Sequence, residues 1–197
     1  MLKKNLITSV LMTIATTILL GIIYPLVVTG IAQVVFPEQA NGELIKKDGK
    51  TVGSSLIGQG FAGPEYFHSR PSAAGVGYDA ANSAGSNLGP TNQKLLDRVH
   101  QDVIALQAEN PGKPVPIDMV TTSASGFDPH ITPAAAEYQL AMVAKERGIT
   151  AEQLRTLIAR HTEGRQLGVL GEPRVNVLEL NLQLDQQFPM KKQAKVE

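Results

Sequence analysis

The sequence predicts one N-terminal transmembrane helix followed by a mixed α/β (α+β) extracytoplasmic domain with a small sheet. Three observations lead there. No residue from Asn5 to Pro37 is charged. Beyond that run, helix-period and β-branched segments interleave, each bounded by Gly, Pro or a capping residue, the pattern of a mixed fold. The 197 residues suffice for one ordinary domain plus an anchor.

The uncharged run, "LITSVLMTIATTILLGIIYPLVVTGIAQVVF", is almost entirely aliphatic with scattered Thr and Gly. About 20 residues cross a bilayer core as a helix, whereas the apolar part of a cleaved signal peptide is roughly 7–15 residues long. The run exceeds both, so the expectation is an uncleaved helix over 6–36. Lys3 and Lys4 precede it, and the first charge after it is Glu38. The positive-inside rule then keeps residues 1–5 in the cytoplasm. It places 38–188 in the periplasm of a Gram-negative cell, with the helix in the inner membrane and 189–197 as a flexible tail. Within the helix, Ser9, Thr13, Thr17, Gly21, Pro25, Thr29 and Gln33 recur every four residues. Small and hydroxyl side chains let membrane helices approach closely, so this seam is expected to pack on partner helices. Pro25 removes a backbone donor and is expected to kink the helix.

After the anchor, "KKDGKT" reads as a tight hairpin around Asp48-Gly49, and "TVGSSLIGQ" as a short strand. Tyr66 and Phe67 suggest a further extended segment, and Pro71 disfavours helix at Arg70. Residues 72–90 are rich in Gly, Ala, Ser and Asn and form a long loop. Thr91–Glu109 has helical periodicity and stops at Asn110-Pro111-Gly112. "VPIDMVTTS" reads as a core strand. Thr132 is a natural N-cap, with Pro133 at the first helical position and Gly148 past the end; Thr150 caps a further helix. "VNVLELNLQLDQQF" alternates like a strand, yet Asn176 and Glu179 have capping-box spacing, and helix is the expectation.

Composition excludes several functions. Removing Lys3 and Lys4 from the 18 basic residues leaves 16 against 18 acidic ones, so no basic field attracts nucleic acid. There is no Cys, hence no disulfide and no thiolate metal site, and no Trp to stack bases. Gly75 and Gly77 suggest a dinucleotide loop, but position 80 is Ala, and no phosphate-binding G-x-x-x-x-G-K-[ST] occurs. His68, His100, His130 and His161 lack metal-ligand spacing.

The stretch "TTSASGFDPHITP" holds Ser123, Ser125, Asp128 and His130, the residue types of a hydrolase triad. A triad is assembled from distant parts of a chain, with the base bonded to both partners. No G-x-S-x-G elbow is present either. The local reading is a shaped loop: Gly126 takes an unusual backbone angle, Asp128-Pro129 turns the chain, and Ser and Asp bond loop amides. A membrane-anchored periplasmic hydrolase is the alternative.

The ordered motifs "LIGQ", "YFHSRPS", "SAGSNLGP", "SASGFDPHITP" and "LGEPRVNVLELN" resemble those of the C subunit of the bacterial Kdp potassium-transporting ATPase, from the N-terminal helix to about Phe188. The resemblance implies a non-catalytic accessory subunit of an ATP-driven potassium import complex. Its partners would be a channel-like potassium-translocating subunit, a P-type ATPase subunit and a small single-span subunit. It implies help in assembly and, as a catalytic chaperone, a raised ATP affinity of the ATPase subunit, with ATP and potassium handled by the complex and no cofactor bound by this chain. The motif residues Arg70, Ser86, Asn87, Ser123, Ser125, Gly126, Asp128, Pro129, His130 and Asn176 are expected to be structural or partner-facing. One departure stands out: the family has a Gln-x-Pro-Arg-like segment where this chain keeps Gln139 but carries Ala141 and Met142. The inferred topology also separates residues 38–197 from cytoplasmic ATP, which favours coupling through the anchor.

Overall fold

A computed structural model describes residues 1–190, so the expected tail falls mostly, at 191–197, outside the described residues. The chain divides into two compact units, Met1–Val52 and the part from Gly53 onward.

The first unit is dominated by helix α1, Leu2–Val35, long and apolar enough to cross a membrane, with none of its most apolar window buried. A long apolar helix with no face buried in its own fold suits lipid or neighbouring membrane helices. Its middle, Thr17–Ile23, winds as a π-helix, and the Tyr24 N–H reaches back to the Leu19 carbonyl. Pro25 supplies the cause. It has no N–H to return to Gly21, and the preceding turn widens to satisfy the backbone, as membrane helices do around proline. A helical turn, Pro37–Ala40, leads to strands β1 (Leu44–Lys47) and β2 (Lys50–Ser54), which pair as the expected hairpin. Asp48 and Gly49 both have positive φ, at 52° and 74°, the geometry that Asp-Gly favours in a two-residue turn.

The second unit begins with irregular chain to Asn92, whose side chain accepts from the Lys94 N–H and caps α2, Gln93–Glu109. Helix α3, Pro133–Arg147, is capped as expected: Thr132 Oγ1 accepts from the Ala135 N–H at 3.1 Å, and Gly148 closes it with φ 65°. Helix α4, Ala151–Arg160, opens with a reciprocal Thr150–Gln153 capping box. Strands β3 (His130–Ile131), β4 (Thr162–Glu163) and β5 (Arg174–Asn176) form an antiparallel sheet in the order β3-β5-β4. Helix α5, Val177–Gln187, follows directly; Asn176 ends β5 and caps α5 through its side chain. The core joins Leu140 and Val143 of α3, Leu154 and Leu157 of α4, Val175 of β5 and Leu180 and Leu184 of α5. Phe67 is fully buried among them.

Two expectations fail here. "VPIDMVTTS" is no strand: Ile117–Met119 is a 3-10 turn. Pro114 and Pro116 lack ladder donors. Asp118 is buried and accepts from the Thr132 N–H at 2.7 Å and its Oγ1 at 3.2 Å. The Tyr66–Phe67 segment joins no sheet either. Two carboxamides replace the missing strands. Gln139 of α3 accepts from the His68 N–H at 2.7 Å and donates to the His68 carbonyl at 3.1 Å. Asn181 of α5 does the same for Phe67. Next to them, the buried Arg147 guanidinium lies 4.7 Å over the Tyr66 ring and pairs with Asp185 at 2.8 Å.

Candidate functional site

The loop between the 3-10 turn and β3 is organised by Arg70. Its Nη1 meets Asp128 Oδ2 at 3.0 Å, while Nε and Nη2 donate to the Thr121 and Thr122 carbonyls and to Thr121 Oγ1. One guanidinium thus binds both the start and the middle of the loop, using the several fixed donors that only arginine offers. Asp128 Oδ1 accepts from the His130 N–H at 3.0 Å, and His130 Nδ1 stands 3.7 Å from the same oxygen. Burial pushes the Asp128 carboxyl up, but the His130 ring and N–H, together with Arg70, outweigh it and hold the group at about 2. The carboxylate is therefore ionised at all physiological pH values.

The serines serve the backbone. Ser123 Oγ, buried, accepts from the Gly126 N–H at 2.9 Å, and Ser125 Oγ accepts from the Phe127 N–H at 3.1 Å. Gly126 has φ 75°, and a Cβ there would stand 2.6 Å from the Ala74 Cβ and 2.8 Å from the Ala84 carbonyl. The 72–90 loop presses on it from outside: Ser72 Oγ donates to the Gly126 carbonyl, and the Ala84 N–H donates to the Ser125 carbonyl. Tyr78 closes the arrangement with its hydroxyl on the Arg70 carbonyl; burial first, then the Asp128 charge, push its phenol up. On the far side, Pro129 accepts from the Val177 N–H, His130 pairs with Asn176 across β3 and β5, and Asn176 Nδ2 donates to the Ser55 carbonyl at 2.7 Å. Arg70, Asp118, Asp128, His130, Thr132 and Arg174 surround a cleft of ≈ 320 Å³.

This geometry lacks the relay of a hydrolase. Each serine oxygen is engaged by a loop amide, and neither hydrogen-bonds to His130. Among the described residues no three His, Cys, Asp or Glu side chains converge as metal ligands. The arrangement is a charged loop surface cross-linked by hydrogen bonds and the Arg70–Asp128 pair.

Comparison with known proteins bears on what that surface belongs to. The family profile described as "KdpC: K+-transporting ATPase, c chain" matches residues 6–186. The chain belongs to the KdpC family. The "Potassium-transporting ATPase KdpC subunit" of Koribacter versatilis is 69% identical over 189 residues, covering 96% of this chain and 98% of that protein. The protein of the same description from Rhodospirillum rubrum is 57% identical, covering 89% and 92%, and that from Acidobacterium capsulatum is 57% identical, covering 93% and 98%.

Of the motif residues read from this KdpC-family sequence, the structure brings together Arg70, Ser123, Ser125, Gly126, Asp128, Pro129, His130 and Asn176. Ser86 and Asn87 lie on the covering loop, Asn87 with φ 52°, and neither side chain bonds to the Arg70–Asp128 pair. Sequence reasoning missed Ser72, Asp118 and Asn181, and the bonding partners of Tyr78 and Gln139. "YFHSRPS" and the glycine-rich loop held a usable signal, because polar residues recur there without period. Asp118 had one too, flanked by apolar residues in a supposed core strand. In the anchor, Ser9 and Thr13 hydroxyls donate to the Asn5 and Ser9 carbonyls of their own helix, while Thr17 and Gly21 lie in the π segment.

Proposed function

We propose that this chain is a non-catalytic accessory subunit of an ATP-driven potassium import complex, held by one inner-membrane helix with its N-terminus in the cytoplasm and its folded domain in the periplasm. The observation that carries the reading is the family match over residues 6–186, which takes in both the apolar helix and the motif loop. It is supported by a polar loop whose serines bond its own amides and whose Asp128 is held by Arg70 and the His130 N–H, a surface built to hold a shape. The partners are the channel-like potassium-translocating subunit, the P-type ATPase subunit and the small single-span subunit. With its domain in the periplasm, the chain acts on nucleotide affinity indirectly, by favouring one conformation of the partner helices that α1 touches.

The test is co-purification. Tagged full-length chain, expressed with the remaining subunits, is expected to bring down a membrane ATPase whose ATP hydrolysis responds to potassium, and to hydrolyse nothing when purified alone. A chain that purifies without partners, or that cleaves esters or ATP by itself, overturns the reading. Orientation is checked separately. The chain has no Cys, so Gly49→Cys provides a single thiol, expected to react with an impermeant reagent when the outer membrane is opened. Protection of that thiol reverses the topology.

A further inference from the structure

A second cavity lies away from the motif loop, at the C-terminal end of α2. It measures ≈ 350 Å³, and Leu106, Met119, Tyr138 and Met142 line it together with Glu109 and Asn110. The lining is mostly apolar, but its Glu109 side is electron-rich. The Glu109 carboxylate is exposed and takes part in no hydrogen bond or ion pair among the described residues. The α2 end brings its own partial negative charge, and its last turn has no basic side chain to offset it. The donors nearby are already committed: Tyr138 OH to the Leu106 carbonyl at 2.6 Å, Asn110 Nδ2 to the Tyr138 carbonyl at 3.3 Å, and Gln139 Nε2 to the His68 carbonyl. The Asn110 carboxamide oxygen is left as a further acceptor. The His68 ring, which also lines the cavity, is engaged through Nε2 with the Gly63 carbonyl at 2.9 Å.

A mostly apolar cavity with one free carboxylate in its lining matches one kind of occupant: an aliphatic stem ending in a cation. A bare metal ion would need oxygen ligands along the walls, which carry thioethers and hydrocarbon instead. We infer that this cavity receives a lysine or arginine side chain from another subunit of the transport complex, its stem against Met119 and Met142 and its charged head on Glu109. The inference rests on the accessory-subunit reading above and names a contact point for it. Methionines suit the task because their flexible, polarisable side chains adapt to an inserted stem.

Three full-length variants, each expressed with the other subunits, test it. Glu109→Lys places a cation where the partner's must sit. It is expected to weaken retention of the chain in the purified complex, with an apparent affinity reduced about tenfold or more, as for like charges opposed at an interface. Glu109→Gln should fall between that variant and the wild type. Glu146→Lys, which makes the same charge change at an exposed site on α3, should behave as wild type. The isolated Glu109→Lys chain should melt no lower than wild type, because Glu109 has no partner among the described residues and a cation suits the negative end of α2. Retention of Glu109→Lys equal to wild type overturns the inference. So does an equal loss in Glu146→Lys, which would make the effect one of net charge, and so does a lowered melting point in the isolated variant. A wild-type chain that joins no complex at all removes the accessory-subunit reading instead, and the two failures are thereby distinct.

Discussion

Asn181 grips Phe67 with both halves of its carboxamide: the Phe67 N–H donates to Oδ1 and Nδ2 donates to the Phe67 carbonyl, each at 2.9 Å. Both residues are fully buried, so water cannot replace either bond. The side chain does the work of a neighbouring strand for a segment that has none. Asn181→Ala leaves a buried donor and acceptor unpaired, each worth about 1–3 kcal/mol, and should lower stability by about 2–4 kcal/mol. Asn181→Asp keeps the acceptor but turns a charge toward the Phe67 carbonyl, so it should be at least as damaging at neutral pH. Thermal melts of the detergent-solubilised chain check this. A melt of Asn181→Ala indistinguishable from wild type would show that the bracket is dispensable.

Asp128 makes a pH-dependent contribution of known sign. Its folded value of about 2 lies below the usual 3.8, so the carboxylate form is favoured by folding. The stabilisation is fully present above about pH 3.8 and is lost as pH falls through about 2. Asp128→Asn, which cannot ionise and turns an amide toward Arg70, should be less stable than wild type at pH 6. The gap should narrow steadily from pH 4 to pH 2. Melting curves of both proteins across that range measure it, and a gap independent of pH would mean that His130 and Arg70 do not hold the charge.

In the motif loop, burial ranks the substitutions. The Ser123 bond to the Gly126 N–H is buried, whereas the Ser125 bond to the Phe127 N–H is exposed. Ser123→Ala should therefore cost about 1–2 kcal/mol and Ser125→Ala about 0.5 kcal/mol. Gly126→Val should be worst, because it adds a branched side chain both at φ 75° and against Ala74 and the Ala84 carbonyl. Transport should fall in step with melting temperature across the three variants, and a serine-directed phosphonate should label none of them. Labelling of the wild type that Ser125→Ala abolishes would restore the hydrolase reading.

Legibility in the sequence followed range. Caps are local, and Thr132, Thr150 and Asn176 could be read correctly from their immediate neighbours. So could the Asp48-Gly49 turn and the long apolar N-terminal helix, each fixed by composition within one segment. Strands β3, β4 and β5 have two or three residues apiece, too few to display a period of two. Asp118 was misread because a β-branched neighbourhood outweighed the two prolines beside it. The carboxamide brackets were illegible for a different reason: Gln139 and Asn181 look like ordinary helix residues, and their partners lie 71 and 114 residues away. The Arg70–Asp128 pair, 58 residues apart, reached the site list through whole motifs and not through pairing.

The π segment of α1 changes what the four-residue seam can do. In an α-helix a four-residue step exceeds one turn, so Ser9, Thr13 and Thr17 wind gradually around the surface. A π turn closes its hydrogen bonds one residue later and holds more residues per turn, so the same step falls short there. Thr17 and Gly21 lie in that segment, which ends just before Pro25. The drift is therefore reversed at mid-helix, and the small residues stay closer to one face than an uninterrupted α-helix would keep them. Ser9 and Thr13 also return their hydroxyls to their own helix, so packing at the seam would rest on close backbone approach. Gly21→Leu should then weaken recovery of the complex by about 1 kcal/mol, and Thr17→Leu with Gly21→Leu by more, while a change at Leu19 matters less. Pro25→Ala is the sharper test. It restores the N–H that Gly21 lacks as a donor, lets the π turn revert to α, and rotates Thr29 away from Ser9 without touching a seam contact directly. Complex recovery should drop for Pro25→Ala as it does for Gly21→Leu, measured against the wild type in the same detergent. Full recovery of both variants would reduce α1 to a tether.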